Sequence, residues 1–261
     1  MDVSDRTDAT PMTGRVKEVI FSVYSVVLLV VLWETVGQLG LIHYHFLPPL
    51  SDILQLFVEM TLTGEMIYHT YLTLYRALAG LAIAVALGVP IGVLAGRSLL
   101  FDWFWSPVIA VMYPVPAISL IPVFMLWFGF GDRSRIFLVA WACFWPIALN
   151  ARDAADSIDE NLVWSARMMG TSRLSLLREV VVPAASPGIL TGIQIALPVS
   201  FIAAFIFEMV AGGGGLGHLQ YQGARRFVAP QVFAAIVAIM IVGLISDRLL
   251  RKIRAWLLRW E

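Results

Sequence analysis

Long apolar runs separated by short polar stretches set the pattern of this chain. Six segments approach the roughly 20 apolar residues that a helix needs to cross a hydrocarbon core about 30 Å thick. They are residues 19–36, 72–96, 104–130, 134–149, 189–210 and 229–246, the fourth and sixth having the shortest uninterrupted apolar cores. Backbone groups in lipid must be satisfied internally, and the alternating apolar/polar pattern of a barrel is absent, so the pattern predicts helices. The run from Val19 ends in Trp33-Glu34 without a small-residue cleavage site, and it reads as a retained first span. No internal repeat or low-complexity linker divides the chain. It is expected to be a polar tail, 1–18, followed by one transmembrane domain, 19–261.

The interruptions are as informative as the runs. The third segment carries Pro107, Pro114, Pro116 and Pro122. Each proline removes a backbone donor and obstructs a regular helix. Broken helices at membrane depth are tolerated where protein buries them or where they line a cavity. A pathway-lining role for Pro114, Pro116 and Pro122 is expected, with a kinked packing helix as the plain alternative. In the long connection 37–71, Leu-Pro-Pro-Leu-Ser-Asp breaks the chain, after which Ile53, Leu54, Phe57 and Val58 suggest a short interfacial helix. The connection 211–230 opens with four consecutive glycines.

Between Ser157 and Pro183 the chain turns polar while keeping helical spacing. Ser157 and Glu160 match an S-x-x-E capping box. Leu162, Val163, Ala166 and Met169 then form an apolar stripe. Gly170 suits the left-handed residue that ends a helix, and Ser172 can cap a second helix striped by Leu174, Leu177 and Val181. Pro183 is expected to close it. The spacing predicts two short helices hinged at Gly170, either docked on a soluble partner or lying on the membrane surface.

Composition agrees with the pattern. Hydrophobic residues make up 59% and charged residues 14%, with mean hydropathy +0.82, whereas soluble domains carry about 25% charge. The net charge of zero argues against a nucleic-acid partner. The single cysteine, Cys143, cannot form an internal disulfide. Lys and Arg collect in cytoplasmic loops. With the N-terminus inside, that side holds Arg6, Arg15, Lys17, Arg97, Arg152, Arg167, Arg173, Arg178 and the five basic residues of 248–259. The other side holds Arg133, Arg135, Arg225 and Arg226. This asymmetry puts both termini and the 150–187 connection in the cytoplasm.

Two charges stand apart. Arg76 lies inside an expected span, suited to packing, snorkelling or substrate-path electrostatics. Glu208 lies near the outer end of the fifth span, structural or gating. Other chemistry finds little support. Gly129-Phe130-Gly131-Asp132 spells the Gly-x-Gly-Asp of intramembrane aspartyl proteases, but Asp132 sits at a span end with no second mid-span aspartate. H-E-x-x-H, G-x-S-x-G and the phosphate-loop pattern do not occur, and His43 and His45 lack a third metal ligand. A DNA-reading helix-turn-helix would need a further packing helix and a basic face. A secondary transporter working without an ATPase is the more serious alternative.

One spacing is specific. Ala166-x-x-x-Gly170, then nine residues, then Val180-x-Val182-Pro183, resembles the EAA loop of ABC-importer permease subunits, with Trp164 and Ser165 at the family's Glu and first Ala. Thr73-Leu74-x-Arg76, Pro114-x-Pro116, Ile121-Pro122, Leu126-Trp127-Phe128-Gly129, Pro183-Ala184-Ala185-x-Pro187, Gly215-Leu216-Gly217 and Ser246-Asp247 extend the resemblance to the nitrate/sulfonate/taurine branch. The resemblance implies an all-α membrane protein of the type I importer fold, with six spans in the bacterial inner membrane. It implies a second permease copy, two cytoplasmic ATPase subunits and an extracytoplasmic solute-binding protein. ATP and Mg would belong to the ATPase, with no cofactor or metal in this chain. The implied coupling residues are Ser157, Glu160, Ala166, Arg167, Met169, Gly170, Arg173 and Pro183. The implied path or gate residues are Arg76, Pro114, Pro116, Pro122 and Glu208. The substrate expected is a small anion such as a sulfonate, taurine, nitrate or bicarbonate.

Overall fold

The computed structural model describes residues 12–258, with side chains from Tyr24 onward. Among the described residues the regular structure is helical: α1 (Met12–Gln38), α2 (Leu50–Leu62), α3 (Glu65–Arg97), α4 (Leu99–Met112), a 3₁₀ turn (Ala117–Leu120), α5 (Ile121–Phe128), α6 (Asp132–Asp156), α7 (Glu160–Met168), α8 (Arg173–Ser175), a π segment (Leu176–Val181), α9 (Val182–Ala211), α10 (Leu216–Arg225) and α11 (Ala229–Leu257).

The centre of the bundle is α3, α6 and α9. Lipid gives helices no hydrophobic reason to associate, so close packing of small residues must hold them. Helix α3 provides them every fourth residue: Gly80, Ala84, Gly88, Gly92 and Gly96. A Cβ on Gly92 would fall 2.3 Å from the Ala148 carbonyl oxygen, and one on Gly96 would fall 2.4 Å from that of Arg152. From the other side, Gly188 and Gly192 let α9 approach Ala154 and Asn150 of α6. Around these contacts Ala77, Leu81, Val139, Cys143, Ile147, Leu197 and Phe201 form the buried core.

Four helices are long and apolar enough to cross a bilayer: Glu65–Arg97, Asp132–Asp156, Arg173–Ala211 and Ala229–Leu257. Helices α4 and α5 pass the same test only as a pair, bent by 92°. The expected single span 104–130 is therefore broken, and its prolines explain where. Pro114 and Pro116 occupy the gap, each lacking a backbone donor. Pro122 sits in the first turn of α5, where a missing donor costs nothing. The expected first span, 19–36, lies within helix α1, but the side chains of 19–23 fall outside those described. From Tyr24 the segment is a shorter apolar helix. Of the expected tail 1–18, residues 1–11 fall outside the described residues and 12–18 belong to α1.

Span ends also move. Helix α6 continues through its polar end to Asp156, so Ser157 is its C-cap, with the hydroxyl donating to the Ala154 carbonyl. The expected capping box of Ser157 and Glu160 does not form. Asp159 caps α7 instead, accepting from the Asn161 amide, while Glu160 pairs with Arg97 at 3.3 Å. Where the sequence places a stop at Pro183, the helix continues: Pro183 lies in the first turn of α9, directly after the π segment. The wider π turn removes the steric conflict and the missing bond that proline would impose on a regular helix. Helix α2 is the short helix expected after Pro48-Pro49; α10 follows the four glycines.

Candidate functional site

Functional candidates gather at the two ends of α6. At its N-terminal end a buried ionic cluster joins α3, α6 and α9. Arg76 is 2% exposed and Glu208 0%. The Arg76 Nη1 donates to Glu208 Oε1 at 2.7 Å and to the Gly214 carbonyl at 2.8 Å. Its Nη2 donates to the Gly213 carbonyl at 3.0 Å and meets Asp132 at 2.8 Å, and its Nε donates to Asp132 at 2.8 Å. Four hydrogen bonds and two ion pairs thus engage every nitrogen of the guanidinium. Arg76 does not snorkel, and its charge is met by Glu208 and Asp132 within the chain.

Glu208 is held as completely. Its Oε2 accepts from the Thr73 hydroxyl at 2.8 Å and the Gly217 amide at 3.2 Å. Thr73 in turn accepts from the Leu216 amide, and His69 Nδ1 accepts from the Gly215 amide. The second cation of the cluster is Arg135, whose Nη2 donates to the Gly212 carbonyl at 2.7 Å. Sequence places Arg135 among the charges of an outer loop; the fold buries it one turn inside α6.

The four glycines supply the loop that closes this cluster. Gly212 to Gly215 all have φ between +68° and +102°, a region that side chains disfavour. The Gly212 carbonyl thereby meets Arg135, and those of Gly213 and Gly214 meet Arg76. A Cβ on Gly215 would lie 2.1 Å from Glu208 Cδ. Beside the loop, burial and the neighbouring Arg135 and Arg76 hold the His218 imidazole below its usual range.

The opposite end of α6 carries the 157–172 turn. Val163 and Ala166 of α7 face inward, packed with Ala151, Ala155, Leu176, Val181 and Ala185. Ala166 is thus an anchor of the turn, and its expected role as a contact falls to its exposed neighbours. Of the expected stripes, Met169, Leu162 and Leu174 point outward, and Leu176 takes the buried place. Gly170 has φ +83° and turns the chain, and Ser172 caps the next helix by accepting from the Ser175 amide. Outward, Met168 is 91% exposed, Met169 80% and Trp164 61%. These side chains, with Gly170, form an apolar knob on a turn whose inner face is firmly packed.

Pro114, Pro116 and Pro122 are exposed along the α4–α5 break, away from the Arg76–Glu208 cluster. Sequence reasoning flagged Arg76 and Glu208 separately and missed Asp132, Arg135 and His69 as their partners.

A bundle of membrane-crossing helices, locked at one end and carrying an exposed apolar knob at the other, defines a membrane subunit built to engage something outside the bilayer. Comparisons identify the class. Residues 88–259 match the family of binding-protein-dependent transport system inner membrane components. The chain belongs to that family, as a permease subunit of an ABC importer.

Its relatives include a putative aliphatic sulfonates transport permease of Bacillus subtilis, 30% identical with 89% of this chain and 84% of the relative covered. The taurine transport system permease of Escherichia coli is 31% identical, with 94% and 91% covered. Among solved structures, the MetNI methionine ABC transporter in an inward-facing conformation superimposes with a TM-score of 0.63 at 21% identity, covering 71% of this chain and 94% of that one. Relatives of this kind are permease subunits and not themselves enzymes. The family works with ATPase and solute-binding partners in the inner membrane, and this chain is a multi-pass member of it.

Proposed function

We propose that this chain forms the translocation path of an ATP-driven importer for a small organic anion of the sulfonate or taurine class. The substrate class rests on the relatives, which are named for aliphatic sulfonates and taurine. Coupling rests on the 157–172 turn. Its knob of Trp164, Met168, Met169 and Gly170 docks on the ATPase, and its inner face moves with α3, α6 and α9. The observation that carries this reading is the contrast within α7: Val163 and Ala166 fully packed, Met168 and Met169 almost wholly exposed. An exposed apolar surface of this kind marks an interaction site.

Charge distribution orients the turn and both termini toward the cytoplasm. A second copy of this chain completes the path, lined in part by the α4–α5 break at Pro114, Pro116 and Pro122. At the outer end, the Arg76–Glu208 cluster acts as a clasp that fixes α3, α6 and α9 relative to one another. Arg76 contributes to gating by holding that clasp through its pairs with Glu208 and Asp132. Purification of the tagged permease from its native membrane tests the reading: a cytoplasmic ATPase should co-purify, and transport in vesicles should require ATP. Ion-gradient-driven transport by the permease alone would overturn it.

A further inference from the structure

A half-enclosed cavity of about 650 Å³ lies between the α3–α4 corner and the 157–172 turn. Three arginines line it: Arg97 from the last turn of α3, Arg167 from the turn and Arg173 from α8 just after it. Its remaining lining includes Leu94, Phe101 and Leu176, and among the described residues no carboxylate lines it. Among the described residues Arg167 and Arg173 make no ion pair, and Arg97 has only the exposed Glu160 at 3.3 Å. A concave surface with three cations, one partly compensated, and an apolar floor suits an anionic headgroup attached to an apolar chain.

Depth decides what brings that headgroup. Counting from Arg76 to Arg97, α3 rises about 31 Å at 1.5 Å per residue. Along α6, Asp132 beside Arg76 and Arg152 beside Asp102 stand about 30 Å apart. Both intervals equal the hydrocarbon thickness of a bilayer, about 30 Å. If the buried clasp marks one boundary, Arg97 marks the other, and the cavity falls in the headgroup layer. Next to it Leu99, Leu100 and Trp103 are largely exposed, as residues facing lipid would be. Basic pockets between spans at this level suit the phosphates of anionic lipids.

We propose that Arg97, Arg167 and Arg173 form a binding site for the phosphate of an anionic phospholipid, seated between α3 and the turn. The lipid bridges the end of α3 to the turn, which the Arg97–Glu160 pair also links. The site stands on the cavity and holds whether or not the turn carries an ATPase.

Native mass spectrometry of the full-length permease tests it, after release from nanodiscs of dioleoylphosphatidylcholine with or without dioleoylphosphatidylglycerol. The wild type should retain phosphatidylglycerol. The double variant Arg167→Gln/Arg173→Gln should bind it on the order of tenfold to thirtyfold more weakly, as expected for two lost cationic contacts. Neutralising the exposed pair Arg248→Gln/Lys252→Gln should leave retention unchanged. Glu160→Gln should strengthen it by freeing Arg97. Equal losses in both double variants, or a loss in neither, would overturn the site. Displacement of the lipid by excess inorganic phosphate, with equal phosphate binding in phosphatidylcholine alone, would make it a free-anion site and sink the lipid assignment. Retention that survives Arg167→Gln/Arg173→Gln while ATPase co-purification is lost would give these arginines to the protein partner instead.

Discussion

The two ends of α6 solve opposite problems with the same kinds of residue. At the Asp132 end, Arg76, Arg135 and Glu208 are buried, and Arg76 makes four hydrogen bonds within the chain. At the Asp156 end, charges and large apolar side chains lie on the surface, and Met168 and Met169 touch almost nothing. Glycine marks both. In the 212–215 loop it permits carbonyls to face Arg76 and Arg135, and a Cβ at Gly213, Gly214 or Gly215 would lie under 3 Å from a neighbouring side chain. At Gly170 a Cβ would meet nothing within 4 Å. One end meets most of its polar groups within the chain, leaving Arg135 Nε and His218 Nδ1 without a hydrogen-bond partner among the described residues; the other, on the proposed reading, meets a partner. A transporter driven from one side needs that division, because motion delivered to the turn must reach the membrane through a bundle that does not come apart.

Breaking the complete end should cost most. Glu208→Ala leaves Arg76 with a buried, partly uncompensated charge, a loss of about 3–5 kcal/mol. Detergent-solubilised protein should show this as a large drop in thermal unfolding temperature or loss of folded material. Because apolar pairs can replace buried ion pairs, Arg76→Met/Glu208→Leu should be destabilised by less than the sum of its single changes. Simple addition would mean the two residues act independently.

Gly215→Ala comes next. It combines a left-handed backbone cost of ~1–2 kcal/mol with overpacking against Glu208, worth ~1–3 kcal/mol. Gly92→Leu should cost a further-reduced ~1–3 kcal/mol by prising α3 from α6, measurable in the same unfolding assay. The smallest effect on stability belongs to the knob. Met168→Ala/Met169→Ala should stay within about 0.5 kcal/mol per site of the wild type, yet weaken co-purification of the ATPase. A stability loss as large as that of Glu208→Ala would show that these methionines pack within the chain.

Much of this was legible before any coordinates. Apolar runs located the long helices because lipid tolerates little else, and four prolines foretold a broken third segment. What sequence could not show was pairing. Arg76 and Glu208 are 132 positions apart, and only folding brings Asp132 and Arg135 beside them. Arg135 resembled a loop charge because Asp132-Arg133 starts α6 in polar company. Ser157 resembled an N-cap because α6 ends in a polar turn, Arg152 to Asp156, that reads as loop. Pro183 resembled a stop because spacing cannot reveal the π segment that accommodates it. The Trp164 that stands where the family pattern has Glu is exposed at the knob, and nothing in the fold explains the replacement.

The central claim is that the turn transmits work done outside the membrane. Gly170→Leu isolates it, because the substitution meets open space in this chain and carries only the backbone cost of a positive φ. The measurement is paired uptake and ATP hydrolysis in proteoliposomes containing the permease, its ATPase and its solute-binding protein. With Gly170→Leu, the account predicts a normally inserted permease in which uptake is lost and hydrolysis no longer drives transport. Wild-type uptake by that variant, at wild-type ATP consumption, would contradict it.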